Sequence, residues 1–189
     1  MPRPAGPYRT KRLTFRFFSE DDLEAFMAMH SDPQVARYLP YPPLSRGEAI
    51  ERLRFIATMT SIDDEAQNLR FAVVLPESEE VIGDVGIWTT PQNRLQGDIG
   101  YVFHPAHQGR GYGTEAAAEL LRIGFEEAGL HRITADCDAR NAASYRVMER
   151  IGMRREALFI QAAYEKGAWT DELHYAILAD EWRAARVSA

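Results

Sequence analysis

The sequence predicts a single α+β domain built around a mainly antiparallel sheet. Residues 70–75, 80–89 and 98–103 are consecutive strand-like runs joined by the short polar links P-E-S-E and P-Q-N-R-L-Q-G, the signature of an antiparallel meander. The segment 111–128 follows with Ala117, Leu120, Leu121, Gly124, Phe125 and Ala128 at helical spacing. A chain of 189 residues supports one sizeable core and is too short for two ordinary enzyme domains.

The remaining elements follow in chain order. Residues 1–7, with three prolines and a glycine, read as a loose lead-in, and Tyr8–Phe18 as a first strand. Ser19 before Glu20, Asp21 and Asp22 caps a helix whose first turn is acidic, as the helix dipole favours. Leu23, Phe26, Met27 and His30 form its core-facing stripe. Tyr38-Leu39-Pro40-Tyr41-Pro42-Pro43 is a loop, because its prolines block helix and central strand alike. Ser45-x-x-Glu48 is a capping box opening a second helix, with Ile50, Leu53 and Ile56 or Ala57 facing inward. Beyond the long helix, His131–Asp138 alternates as a half-buried strand, and 142–151 is a short helix stopped by Gly152. Arg154–Ala162 and Trp169–Leu178 are two further strands joined by a Y-E-K-G turn.

Composition excludes several classes. The chain is 46% hydrophobic with a net charge of −6, a globular balance that argues against a phosphate-backbone binder, so no nucleic-acid partner is expected. Cys137 is the sole cysteine, so there is no internal disulfide and no cysteine-based metal site, and its place in an apolar strand pattern marks a small buried hydrophobe. The basic N-terminus lacks the apolar core of a secretory signal and no run reaches membrane-spanning length, so no membrane partner and a cytoplasmic location are expected.

The chemistry centres on His104–Thr114, H-P-A-H-Q-G-R-G-Y-G-T, between a strand and a helix. Gly109, Gly111 and Gly113 let an anion approach the backbone, the helix start offers unpaired N–H groups, and Arg110 adds a charge, so the loop suits a phosphate or pyrophosphate. A Walker loop would need Lys-Ser or Lys-Thr after the last glycine, where Thr114-Glu115 stands. Gly111-x-Gly113-x-x-Ala116 also fits a dinucleotide fingerprint, with Asp136 or Asp138 as a ribose-binding acid, so a dinucleotide-dependent oxidoreductase is the alternative enzyme reading. Against it stand the intervening H-P-A-H-Q-G-R and the antiparallel strands before the loop.

Gln108-x-x-Gly111-x-Gly113 is similar to the pyrophosphate-binding motif of the GNAT acyltransferases. Thr10-Lys11-Arg12-Leu13-Thr14-Phe15-Arg16, Asp32-Pro33-x-Val35-x-x-Tyr38, Asn141–Ser144 with Met148–Met153, and Gly167-x-Trp169-x-Asp171-Glu172 with Trp182 resemble segments of its RimJ/RimL branch, the ribosomal-protein N-terminal acetyltransferases and their relatives. The resemblance runs over residues 8–184 as one domain. It implies a GNAT fold with a mixed sheet opening like a V between 98–103 and 131–138, and acetyl-CoA as cosubstrate. In that reading Gln108, Gly109, Arg110, Gly111, Tyr112, Gly113 and Thr114 cradle the pyrophosphate, while the main chain of Tyr101, Val102 and Phe103 and the side chain of Asn141 hold the pantetheine arm.

The implied activity is transfer of an acetyl group to a primary amine, on a protein or peptide N-terminus or a small molecule. Transfer needs a neutral amine, a stabilised carbonyl and a proton for the thiolate. A backbone N–H near Val102 or Phe103 serves the carbonyl. The position where many GNAT enzymes place an acidic tyrosine holds Met148; the RimJ/RimL branch uses the serine three residues after the Asn instead, so the resemblance implies Ser144 as general acid, with Tyr145 in reserve although it points roughly 100° away on a helix. The branch's Q-A-E-Y glutamate is replaced in Gln161-Ala162-Ala163-Tyr164; Asp98 resembles the position where other GNAT branches place a catalytic glutamate and is the implied base, with Asp84 and His104 as weaker ones. The acceptor pocket is expected from the first two helices, the Tyr38–Pro43 loop, Trp88 and the turn at 164–169. An inactive CoA-binding module is the non-enzyme alternative, and a homodimer is compatible with either.

Overall fold

A computed structural model describes residues 6–62, 67–90 and 92–187. Most of the proline-rich lead-in therefore lies outside the described residues. The sheet contains nine strands: β1 (Tyr8–Arg9), β2 (Thr14–Arg16), β3 (Thr60–Ile62), β4 (Gln67–Val74), β5 (Val81–Thr90), β6 (Asn93–Phe103), β7 (Arg132–Asp138), β8 (Arg154–Glu165) and β9 (Ala168–Leu178). Their order is β1-β2-β4-β5-β6-β7-β9-β8, with β3 also on β4. Every pairing is antiparallel except β6 with β7. A dinucleotide fold needs two parallel half-sheets, so that alternative does not fit this architecture.

Helices cover both faces. α1 (Leu23–His30) and α3 (Arg46–Ala57) lie on one side, where Phe26, Met29, Leu53 and Ile56 pack with Ala72, Val74 and Val81. α4 (Tyr112–Arg122) and the C-terminal α6 (Ala179–Val187) belong to the larger core, in which Ala116, Leu120, Leu121 and Trp182 meet Phe71, Val85, Ile87 and Ile133. Strand alternation explains the division: on β4, Leu69, Phe71 and Val73 join the α4 core while Ala72 and Val74 join the other. The short α2 (Pro33–Ala36) and α5 (Ala142–Arg150) flank the opening in the sheet.

Three expectations change. The strand expected over Tyr8–Phe18 is broken at 10–13, because Thr10 and Arg12 turn towards α4: Thr10 Oγ1 and the Arg12 amide donate to Glu115 Oε1 at 2.6 and 2.9 Å. The seven-residue link expected before 98 is mostly strand, and the β5–β6 ladder continues to Thr90↔Asn93. The Y-E-K-G turn contracts to Lys166-Gly167, whose φ values of 51° and 83° give the two-residue turn that matches strand twist. The short β3 and α6 were not anticipated. Beyond α4 the helix widens into a π segment, Ile123–Glu127, where Gly124 sits so close to β7 that a Cβ would stand 2.6 Å from Ile133 Cδ1.

The feature that matters for function is where the parallel pair ends. β6 and β7 pair only at Gln96↔Arg132, Gly97↔Ile133 and Asp98↔Thr134. Beyond that point β6 continues to Phe103 and β7 to Asp138 with no pairing between them, while each keeps its other neighbour along its length. The main chain of 99–103 thus presents an edge in the middle of the sheet.

Candidate active site

The glycine loop closes one end of this opening. Gly109 and Gly111 have φ of +74° and +81°, a left-handed backbone that costs an L side chain about 1–2 kcal/mol. Gly111 caps α4 with no side-chain hydrogen bond, so the first-turn amides remain available to an anion where the helix dipole is positive. The loop is fastened from two directions. Gln108 Nε2 donates to the Phe103 carbonyl at 2.9 Å, tying it to the end of β6. Arg12 donates to the Arg110 carbonyl at 3.0 Å and through Nε to Glu115 Oε2 at 2.7 Å, tying it to the N-terminal segment.

A cavity of about 430 Å³ runs from this loop into the gap between the strands. It is lined by Tyr101, Val102, Phe103, Gln108, Gly109, Gly111, Tyr112, Gly113, Thr114, Asn141 and Ser144. Thus the structure assembles most of the positions implied for the cofactor. Arg110 is the exception: it is exposed and does not line the cavity, its carbonyl instead holding Arg12.

Asn141 is the N-cap of α5, and its side chain accepts the Ser144 amide at 3.2 Å. The Tyr101 hydroxyl reaches from β6 across the gap to α5, donating to the Ser144 carbonyl at 3.0 Å and standing 3.1 Å from Ser144 Oγ. Burial raises the Tyr101 phenol pKa, so it stays protonated beside the serine hydroxyl. The family resemblance implies a role only for the Tyr101 main chain; the side chain, which spans the opening, carries no local signal of its own. Tyr145, the reserve candidate, packs against the larger core and lines neither this cavity nor the next.

On the α1/α3 side lies a second cavity of about 440 Å³. It shares Tyr38, Leu39, Tyr101, Val102, Asn141 and Ser144 with the first, so the two meet where the strands part. Its walls include Tyr41, Trp88 and Glu165, which are parts of the expected acceptor pocket, together with Asp136, Asp138 and Glu172. Trp88 lies against Gly100, where a Cβ would be 2.7 Å from the indole, so glycine is required for this wall. Lys166 fixes the neighbouring loop by donating to the carbonyls of Ala36, Arg37 and Leu39 at 2.8, 2.8 and 2.7 Å.

The candidate bases are dispersed. Asp98 belongs to the last β6–β7 pair and lines an adjoining cavity of about 470 Å³ that contains Trp88 and Asp136 but not Ser144. It accepts from Thr134 Oγ1 at 3.0 Å; burial and the nearby Asp136 push its pKa up to about 7. Burial also raises Asp136. Asp84 is fully buried; burial alone would raise its pKa, but Arg70 and His30 hold it well below the usual carboxylate range. Arg70 Nε and Nη2 bind its two oxygens at 2.5 and 2.8 Å, and His30 Nε2 lies 2.9 Å from Oδ2, so Asp84 is a locked anion rather than a free base. His104 accepts from the Ala106 amide in the turn before the loop and lines none of the three cavities. Cys137 is buried with its thiol pushed up to about 11 by burial, the state of an inert small hydrophobe.

Residues 12–154 match the family described as the acetyltransferase (GNAT) domain. The chain belongs to the GNAT acetyltransferase family. The N-acetyltransferase YnaD of Bacillus subtilis is 37% identical over 173 residues, covering 92% of this chain and 97% of that protein. A GNAT-family acetyltransferase from Bacillus anthracis superposes with a TM-score of 0.79 at 35% identity, over 91% of this chain and 98% of that one. The spermidine N-acetyltransferase of Vibrio cholerae, solved with CoA and spermine, shares the fold at a TM-score of 0.79 and 19% identity, over 92% and 99% of the two chains. Acetyl-CoA is the cosubstrate of GNAT enzymes, and this GNAT chain is an acetyltransferase. Among the described residues no helix is long and apolar enough to cross a membrane, and no group of three or more His, Cys, Asp or Glu is placed to hold a metal.

Proposed function

We propose that this GNAT enzyme acetylates a primary amine entering from the α1/α3 face, and that it belongs with the RimJ/RimL-like branch. The observation that carries the reading is the meeting of two cavities at Tyr101 and Ser144, where β6 and β7 have parted. One opens at the glycine loop and the other at an aromatic and acidic wall, so a cofactor and an acceptor can approach one point from opposite sides. The Thr10–Arg12 segment supports the branch assignment by giving one of its resembling motifs a task, the fastening of Glu115 and the glycine loop.

The glycine loop fits the cofactor's pyrophosphate, since the space at Gly109 is open and the α4 amides are uncapped. The edge at Tyr101–Phe103 would hold the pantetheine arm, with Asn141 across the gap. Acetyl-CoA supplies the activated acyl group as a thioester. The Phe103 N–H, which faces the gap because the ladder to β5 uses Val102 and His104, would stabilise the carbonyl oxygen as charge develops. Ser144, hydrogen-bonded with the protonated Tyr101, is the proton donor for the departing thiolate. Asp136, Asp138, Glu165 and Glu172 outnumber Arg52 and Arg70 around the acceptor cavity, and Trp88 offers an aromatic face, a combination that favours a cationic amine, either a peptide N-terminus or a small molecule.

The test is a screen of peptides with free N-termini, polyamines and aminoglycosides, read by thiol release and by mass spectrometry of the amine. Acetylated amine and thiol in equal amounts are expected. CoA binding with no product from any class would overturn acetyl transfer in favour of a binding module.

A further inference from the structure

A buried polar chain runs from the acceptor cavity into the protein and is not used by the roles assigned above. Tyr41, in the loop after α2, lines the cavity. Its hydroxyl is 2.8 Å from Nδ1 of His30, the last residue of α1, and His30 Nε2 is 2.9 Å from Asp84 Oδ2 on β5. His30 and Asp84 are wholly buried. Phe26 stacks on the imidazole with ring centroids 4.1 Å apart, fixing its plane. The groups facing this chain from neighbouring elements are Arg70 of β4, bound to Asp84, and Arg52 of α3, whose guanidinium lies 4.1 Å from the Tyr41 ring centre.

Asp84, held as a carboxylate by Arg70, can only accept, so Nε2 of His30 carries a hydrogen. The relay uses the ring with that hydrogen alone: Nδ1 then accepts from Tyr41, leaving the lone pairs of the tyrosine oxygen for an incoming N–H. Burial raises the Tyr41 phenol pKa, so it enters neutral.

We infer that Tyr41, His30 and Asp84 form the proton relay that frees the acceptor amine. This rests on the acetyl-transfer reading. The ammonium gives a proton to Tyr41 Oη while the phenolic proton passes to His30 Nδ1; the products are a neutral amine, a neutral phenol and an imidazolium whose Nε2–H stays on Asp84. Both transfers reverse when water in the emptied cleft takes the proton back through Tyr41. Tyr41 is the catalytic residue, and His30 and Asp84 position it and store the charge.

Tyr41→Phe tests the relay, because it removes one oxygen and keeps the ring beside Arg52. With saturating acetyl-CoA and the fastest of three probe amines (spermidine, kanamycin and the tripeptide Ala-Gly-Gly), kcat/KM should fall about 100-fold near neutral pH. The loss should shrink towards high pH as free amine accumulates unaided, with acetyl-CoA affinity unchanged. An equal loss at every pH, or no loss, would overturn the relay. A wild-type enzyme silent with all three probes would count against the acetyl-transfer reading itself. Nitrogen NMR of the histidine-labelled chain reads the relay without turnover: a neutral His30 with hydrogen on Nε2, and an Nδ1 signal that moves in Tyr41→Phe, are expected. Hydrogen on Nδ1 instead would overturn it.

Discussion

At Gly111 a positive φ and the start of α4 coincide, so one substitution tests both backbone and site. Gly111→Val should cost about 1–2 kcal/mol of stability for the left-handed backbone and lower acetyl-CoA affinity more than tenfold, as calorimetric titration of the folded variant would show. Ser144→Ala should lower kcat with acetyl-CoA affinity kept, since the serine amide still reaches Asn141 and Tyr101 still reaches the Ser144 carbonyl. Asp98 makes a pH prediction. Its folded pKa, about 7, lies above its ordinary value of 3.8, so the folded state holds the extra proton and stability is lost as pH rises from about 4 through 7. Asp98→Asn should therefore remove a decline on the order of 4 kcal/mol between acid and neutral pH, measured by denaturant unfolding across that range. These residues were legible in the sequence because their signals are local: glycines spaced before a helix, and an N-cap with a serine three residues on. The link between His30 and Asp84 was not, because they lie 54 positions apart and are joined only by how α1 packs on β5. His30 read correctly as core-facing, but the same stripe could not show that its ring was also a polar link.

Among the elements, the meander, the long helix and the capping box came through because apolar periodicity and capping chemistry are written in consecutive residues. The first strand did not, since Thr10 and Arg12 leave it to bind Glu115, a partner 105 and 103 residues away. The resemblance of Thr10–Arg16 to a family opening marked that segment without saying what it does; its structural task is to brace the glycine loop. The two-residue Lys166-Gly167 hairpin also defeated a link length read from polar composition, because the β8–β9 ladder runs out beyond the core. The β8–β9 hairpin acts at a distance through Lys166, whose amine meets three carbonyls next to Tyr38. Lys166→Met should raise KM for the amine while sparing acetyl-CoA binding. It should lower Tm by about 2–8 °C, the equivalent of ~1–2 kcal/mol in a chain of this size.

For the molecule as a whole, function follows from an interruption. A sheet whose every pair ran its full length would have no room for a ligand between neighbouring strands; here the one parallel pair stops at Asp98↔Thr134, and cavities on both sides converge beyond it. The meander itself gave no hint of this gap, which entered the sequence reading only through family resemblance, because where a strand pair stops is set by contacts between residues far apart in sequence, such as that of Tyr101 with Ser144, and not by consecutive residues. If this gap is the meeting place of acetyl-CoA and an amine, a crystal structure of the chain with CoA should show the pyrophosphate on the amides of Gly109–Thr114 and the pantetheine arm along Tyr101–Phe103 with its thiol near Ser144. CoA bound elsewhere, with β6 and β7 unoccupied between their parted ends, would contradict it.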